Sequence, residues 1–505
     1  MKKMTYILVL TSLTLLNASQ NNINEDGTKF EAPRLAGDSL AIKPYVSQKK
    51  TNEVRTIIDA FTQAHIKGLL RYSGQYRDSD LYLTQDSTDA TPTTKVQEYS
   101  AAGGFLGIET APLFYTSIGA TFYTSQPVGP NKNIGLGGLK EVSDGSGGTK
   151  AASYSVLGEA FLKVANDTNR FVVGRQEMPN YRFISLSNIR MTPFTHEGAT
   201  YENSMIKNLQ INLAVISRQK DRNAEEFEDM VRSARVNQKQ TRGDIDITNF
   251  DTISGQYTGS DKSMLMLGST YTISDFKLEA WDYYVDDFVN TLYLYTDYSI
   301  ALNSRSSLTF AGQFAMQNDV GNGVAGDVNS WFYGLKAQYA HNNGITLFTA
   351  FNQVSYNEDS YDGGTIFVRW GTPQMFNSYQ VQDSELAGTK SVGVGLQLEL
   401  GKMKVVPHSV IRFRYAYYDM PDSLDQRDAR QDRSEFTFDY RYSFDKNDGF
   451  GIFTTIDGFS LQFRIAYDDY RTDYDFTAYQ AEHGYSFETV TDSFIDTRLY
   501  LDYVF

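Results

Sequence analysis

Arginines set between aromatic and aliphatic residues are the chain's main chemical resource. In VIRFRYAYY, Arg412 and Arg414 alternate with Ile411, Phe413, Tyr415 and Tyr417. Arg441 stands in EFTFDYRYSF, Arg464 in SLQFRIAYDD and Arg498 in DTRLYLDYVF, while Lys67 and Arg71 stand in AHIKGLLRYSGQYRD. A guanidinium keeps its charge at any physiological pH and forks onto carboxylates. Such a set would draw anions or carboxylates along a pore, or only pair with acids and stiffen a wall, and a ladder can do both. In period-two segments these cations share one face and the apolar groups the other. Facing hydrocarbon, each would cost ~2–4 kcal/mol near a bilayer midplane, so the cations belong on the inside of a closed sheet. Lumen acids such as Asp439, Asp468, Asp496 and Asp502 would pair with some of them and stiffen the wall.

Other chemistries have little to work with. The chain has 505 residues and no cysteine, which removes thiolate nucleophiles, disulfides and Cys-ligated metals. Five histidines, at 65, 196, 341, 408 and 483, show no metal-ligand spacing on a helix, and no cofactor is implied. A formal charge of −15 opposes nucleic-acid binding. For hydrolysis, His65 would face inward with Ser73 on the same parity, but eight residues of strand separate them by roughly 26 Å. His196 lies beside Thr195 and Glu197, whose side chains leave a strand on its opposite face. The chain therefore reads as a non-enzyme.

The elements that must carry the cations are strands. From residue 64 onward eighteen segments alternate with period two, beginning at 64–78 and ending at 492–505. Their connections alternate short and long: 111–112, 166–168 and 342–344 are short, while 125–150, 177–195 and 357–389 are long. Exceptions are a short 286–288 and a long 445–456. Short periplasmic turns and long extracellular loops are the mark of an outer-membrane barrel. The expectation is an all-β, transmembrane antiparallel β-barrel of about 18 strands over residues 64–505, with strand one closing on strand eighteen. Closure leaves no exposed edge, and an even count puts both ends in the periplasm.

Residues 1–19 read as a cleaved signal peptide: Lys2 and Lys3, then an apolar run from Ile7 to Leu16, then Asn17-Ala18-Ser19. Its removal takes the formal charge to −17. Residues 20–63 form a periplasmic lead-in, with Val54, Ile57, Ile58 and Phe61 at the spacing of a short amphipathic helix. In 218–248, Phe227, Met230, Val231 and Ala234 suggest a small helix in an outer loop. The Gly-rich 134–148 reads as a mobile loop, and Asp422, Asp425, Asp428 and Asp432 as a solvated acidic one.

The segment GRQEMPNYRFISLSNIRMTPFTHEG, residues 174–198, is long enough to enter a wide barrel and narrow it, with Glu177, Arg182 and Arg190 at the constriction of about 177–195. Here the chain resembles the outer-membrane porin D (OprD) family. The likeness rests on GRQ, the proline and NIRMTPFTHEGATYEN, and extends to IKGLLRYSGQYRDSD, to 391–444 and to FIDTRLYLDYVF. The resemblance implies an eighteen-stranded, monomeric porin of the Gram-negative cell outer membrane, with a constricting third loop and an arginine ladder. It carries that role onto Arg190, Arg412 and Arg414. The implied cargo is small carboxylate-bearing solutes, amino acids or organic acids, moving by facilitated diffusion. Acids of the third loop and of 357–389 would oppose the ladder. A terminal aromatic such as Phe505 resembles the signal read by the barrel-assembly machinery, and outer-membrane lipid and lipopolysaccharide would surround the wall. A structural or adhesive barrel without transport is the alternative.

Overall fold

The computed structural model describes residues 54–83, 93–129, 131–132, 138–143, 145, 149–178, 181–184, 190–238, 262–324, 326–367, 370–371, 375–381, 384–421, 432–444, 458–470 and 489–505. The signal peptide, the lead-in to residue 53, most of 134–148, the acids 422, 425 and 428 and the segment 445–457 lie outside them.

Among the described residues eighteen strands build the wall. They are β1 His65–Leu83, β2 Thr93–Glu109, β3 Thr116–Pro127, β4 Tyr154–Ala165, β5 Asn169–Gln176, β6 Thr195–Asn203, β7 Leu209–Lys220, β8 Met264–Ile273 and β9 Phe276–Val285. Then follow β10 Val289–Asn303, β11 Ser306–Asp319, β12 Asn329–His341, β13 Ile345–Val354, β14 Lys390–Glu399, β15 Ser409–Asp419, β16 Arg433–Ser443, β17 Phe459–Tyr470 and β18 Thr489–Val504. Each strand pairs antiparallel with its chain neighbours, and β1 pairs with both β2 and β18, so the sheet closes.

Exposure follows parity, inverted relative to a soluble protein. Leu70, Leu106, Phe122, Leu265, Leu267, Leu335 and Val394 are exposed. Between them Arg71, Ser73, Gln75, Glu279, Arg414 and Arg498 are buried. An apolar outer face and a polar inner one suit hydrocarbon outside and an aqueous lumen within. On β18, Ile495 is exposed while Asp496, Arg498 and Asp502 are buried, as the alternation in DTRLYLDYVF predicts. His65 differs from expectation: it is exposed at the foot of β1, where the strand has only begun to pair.

The interior is not polar all round. Most inward residues of β8–β10 are large and apolar, with Met264, Met266, Trp281, Tyr283, Tyr293 and Tyr295 all buried beside Glu279. Three segments fold onto them. The loop after β5 brings Met178, Tyr181, Phe183 and Ile184, the helix α1 Met230–Gln238 brings Met230, Val231 and Ala234, and the loop after β13 brings Ile366, Phe367, Trp370, Met375 and Phe376. The small helix expected in an outer loop forms in the long connection after β7 and buries Met230, Val231 and Ala234. Aromatic edges lock the packing: Phe183 lies 5.6 Å from Tyr293, Phe288 lies 5.3 Å from Phe367, and Trp370 Nε1 donates to the Met230 carbonyl at 2.8 Å. Gln317 and Gln313 of β11 pin the backbone amides of Phe367 and Phe376 at 2.7 and 3.1 Å. Backbone groups taken out of water need such partners.

The seam between β1 and β18 depends on a glycine. Gly68 and Phe505 exchange backbone hydrogen bonds of 2.9 and 3.1 Å. The Phe505 ring lies over the glycine, 2.1 Å from where a Cβ would stand. Gly68→Val is expected to displace that ring and weaken closure. The heat-modifiable gel shift of the folded barrel should then appear at a lower temperature than in wild type.

Candidate functional site on the inner wall

Strand register decides how the cations are arranged. Arg412 stands opposite Asp439, Asp439 opposite Arg464, Arg464 opposite Arg498, and Arg498 opposite Gln75. One row thus runs over β15, β16, β17, β18 and β1. Because barrel strands tilt, typically by 35–45°, a row perpendicular to them climbs the wall diagonally. A second row places Arg414 opposite Thr437, and Asp496 opposite Arg77. Arg71 stands opposite Asp502. The structure thus brings Arg71, Arg412, Arg414, Arg464 and Arg498 together on one inner arc, all buried. Arg441, opposite Gln462, continues the same face and is half-buried.

Two like charges directly across a strand pair repel, as Arg464 and Arg498 do. Each leans instead on its own acid. Arg464 Nε lies 3.1 Å from Asp439 Oδ2, and Arg498 Nε donates to Asp496 Oδ1 at 2.6 Å. Asp496 is a hub, accepting also from Arg77 Nη2 at 2.9 Å, Gln75 Nε2 at 2.7 Å and Gln380 Nε2 at 2.9 Å. Arg71 forks onto Asp502 with two bonds of 2.7 Å. Arg412 and Arg414 also bond neutral groups. Arg412 bonds Gln397 Oε1 at 3.0 and 2.7 Å, and Arg414 donates to Thr437 Oγ1 at 3.1 Å with its guanidinium 4.5 Å from the Tyr379 ring.

Two loops reach this arc. From the loop after β5, Arg190 Nη1 donates to Gln75 Oε1 at 2.8 Å, and its carbonyl accepts from Arg71 Nη1 at 2.6 Å. Burial, with Arg498 and Arg222 nearby, pushes the Arg190 guanidinium down to about 10. From the loop after β13 come Tyr379 and Gln380. The Gln380 amide N–H bonds Glu435 at 2.8 Å, and its carbonyl accepts from Arg498 at 3.1 Å. Acids of this loop were expected to oppose the ladder. Among the described residues, the neutral Gln380 bonds Asp496 and Arg498 of the wall, and the Tyr379 ring lies against Arg414.

The other two loop residues singled out from sequence lie away from the ladder. Arg182 crosses to the apolar half, where it bonds Glu279 at 2.7 and 3.0 Å and stacks 4.6 Å from Tyr295. Burial pulls its guanidinium down, but the Glu279 carboxylate outweighs that and leaves it raised. Glu177 accepts from Tyr123 Oη at 2.6 Å, and its backbone N–H meets Glu159 at 3.3 Å. Lys67 reaches Glu159 at 2.7 Å, its chain lying over Gly107, where a Cβ would come within 2.8 Å of Lys67 Cε. Burial and the neighbouring Glu159 carboxylate raise Glu177 to about 7, against Lys67 and Tyr123. Gln75, Glu159, Tyr379 and Gln380 escaped sequence reasoning. Gln75 and Glu159 are neutral or acidic side chains on inward parity, but the two loop residues carry no periodic signal.

The family model for OprD, outer membrane porin, matches residues 129–475. A search of curated proteins found no match. Among solved structures, OccAB3 of Acinetobacter baumannii superposes with a TM-score of 0.64 at 17% identity, covering 87% of this chain and 99% of that one. Pseudomonas aeruginosa OccK9 (OpdG) gives 0.63 at 16%, covering 87% and 98%. Pseudomonas aeruginosa OpdK with vanillate gives 0.62 at 14%, again covering 87% and 98%.

Two consequences of this geometry are measurable. Asp496→Asn removes the one carboxylate shared by Arg77 and Arg498. Breaking a buried pair costs ~3–5 kcal/mol, so the urea midpoint of the folded barrel should fall markedly. Glu177 binds its proton more tightly in the folded barrel than in the unfolded chain. Its contribution is full below the ordinary glutamate pKa and is lost as pH rises through about 7. Thermal stability should therefore decline between about pH 5 and pH 8, and Glu177→Gln should flatten that slope. With an eighteen-strand closed barrel, a two-sided interior and a family match over most of its length, the chain belongs to the OprD family of outer-membrane porins.

Proposed function

We propose that the barrel admits small hydrophilic solutes by facilitated diffusion, and that carboxylate-bearing ones, amino acids or organic acids, pass best. The observation that carries this reading is the pairing of Arg414 and Arg190 with neutral acceptors, Thr437 and Gln75, beside a row of ion-paired arginines. A cation held by a neutral oxygen keeps its field for a passing anion, whereas Arg71, fully forked onto Asp502, mainly braces the wall. Arg412, Arg441, Arg464 and Arg498 extend the track, and Lys67 lies at its edge.

A solute carboxylate would exchange part of its hydration shell for these guanidiniums in successive weak sites. Weakness is required, since a solute bound too tightly does not leave. The loops holding Arg190 and Gln380 narrow the path from two sides, and Glu177 and Glu159 supply the carboxyl oxygens that an ammonium group would meet. OpdK, similar in fold, has been crystallised with vanillate, itself a carboxylate, which supports this solute class. No cofactor or covalent step is needed. The barrel would act as a monomer, after signal-peptide removal and assembly by the machinery that reads its last strand, with lipopolysaccharide around its outer rim.

Planar-bilayer recording separates this reading from an adhesive barrel: purified protein should open stepwise conductances, and a silent barrel would refute transport. Liposome swelling should be faster with small carboxylates and amino acids than with uncharged sugars of equal size. Equal rates would remove the carboxylate preference.

A further inference from the structure

The short-turn end of the barrel carries one sector unlike the rest of its rim. Most turns there are polar: residues 166–168 are Asn-Asp-Thr, 274–275 Ser-Asp and 342–344 Asn-Asn-Gly. Apolar exceptions are Met205 and Ile206 in one turn and Val405 in another. The sector before β1 and between β2 and β3 is different in kind. A six-residue helix, Ile57–Thr62, presents Ile57, Ile58 and Phe61 at 69, 74 and 53% exposure. Beside it the turn between β2 and β3 presents Phe114 and Tyr115 at 83 and 67%.

Neither element is an accident of fraying. The helix is closed by a capping box, in which the Thr56 hydroxyl accepts from Asp59 N–H at 3.1 Å and the Asp59 carboxylate accepts from Thr56 N–H at 3.0 Å. It is also docked, with the Ala111 amide donating to the Ala60 carbonyl at 2.9 Å and only Ala60 buried. Phe114 and Tyr115 have φ of 51° and 65°. Successive residues in the left-handed region suit a tight hairpin, but Asn and Gly take those positions at much lower cost than bulky aromatics. The turn thus holds two strained aromatic rings fully outward. Water gives no return for that.

What lies against this sector follows from its continuity with the outer wall. Ile66 on β1 and Ile108 on β2 are cross-strand partners and both exposed, as are Ile118 on β3 and Phe505 at the seam. These are the feet of the lipid-facing face. The helix leads straight into β1, and the turn joins β2 to β3, so the five exposed side chains prolong the apolar belt past the strand ends. Aromatic and aliphatic groups at that level are favoured in the boundary between acyl chains and headgroups.

We propose that Ile57, Ile58, Phe61, Phe114 and Tyr115 form a lipid-interface foot, inserted into the phospholipid leaflet at the short-turn end. The foot fixes the depth of the barrel beside its closing seam.

The absence of cysteine makes the test direct. Single variants Ile58→Cys, Phe61→Cys and Phe114→Cys are spin-labelled and reconstituted in phosphatidylethanolamine/phosphatidylglycerol vesicles. Leu70→Cys serves as the lipid-facing reference, and Asp167→Cys as the aqueous one. Collision with oxygen and with a water-soluble nickel chelate is then measured. The proposal predicts that positions 58, 61 and 114 favour oxygen over nickel, as position 70 does, with a ratio several-fold above that at 167. A ratio equal to that at 167 would overturn it, leaving the sector in water. Exclusion of both reagents would also overturn it, by placing protein, a second copy of the chain, on this surface.

Discussion

A closed sheet turns half its side chains inward, and an eighteen-stranded one encloses more space than those side chains fill. That surplus volume is the constraint on which the rest of the structure depends, because something must be folded into it. Here it is met asymmetrically. The inner face of β8–β10 is apolar, so the loop after β5, the helix Met230–Gln238 and the loop after β13 can bury Phe183, Met230, Val231, Phe367, Trp370 and Phe376 against it. The apolar contacts supply the driving force for bringing loops into a barrel, since buried area rewards them at ~25 cal/mol per Å². The opposite arc, β15–β18 with β1, is left to the arginines.

Charge inside a low-dielectric wall is stable only when compensated, yet a wall fully compensated would have no field left for a solute. The register resolves this by position. Asp439, Asp496 and Asp502 stand next to Arg464, Arg498 and Arg71, holding the middle and the seam of the row. Arg414 and Arg190 are given hydroxyl and amide oxygens instead. Asp496 ties the two halves together, since Gln380 arrives there from the loop whose Ile366, Phe367, Trp370, Met375 and Phe376 pack in the apolar core. Loop placement and ladder geometry are therefore one coupled arrangement.

Much of this was legible beforehand. A strand with lipid on one side and lumen on the other must alternate, so all eighteen strands and the inward parity of Arg71, Arg412, Arg414, Arg464 and Arg498 follow from period two. The end of β1 was less clear: pairing continues to Leu83 beyond the predicted 78, because backbone bonds to Thr489–Ser493 hold Asp80 to Leu83 after the apolar alternation has stopped. The two-sided interior was missed, although MLMLG and TLYLY show apolar residues on both parities. Such runs mark strands with an apolar environment on both faces, here hydrocarbon outside and packed loops within, and they were the available signal that loops would cover them. Contacts made by Tyr379 and Gln380 had no such signal, since loop side chains are placed by tertiary packing alone.

The role proposed for the arginine arc is to set the field along the pore. Reversal potentials under a salt gradient, for wild type and for Arg412→Ala/Arg414→Ala/Arg464→Ala, test it most directly. A shift of selectivity toward cations in the triple variant, with the conductance retained, is the predicted result. An unchanged reversal potential in a folded, conducting barrel would contradict the claim and place the field elsewhere.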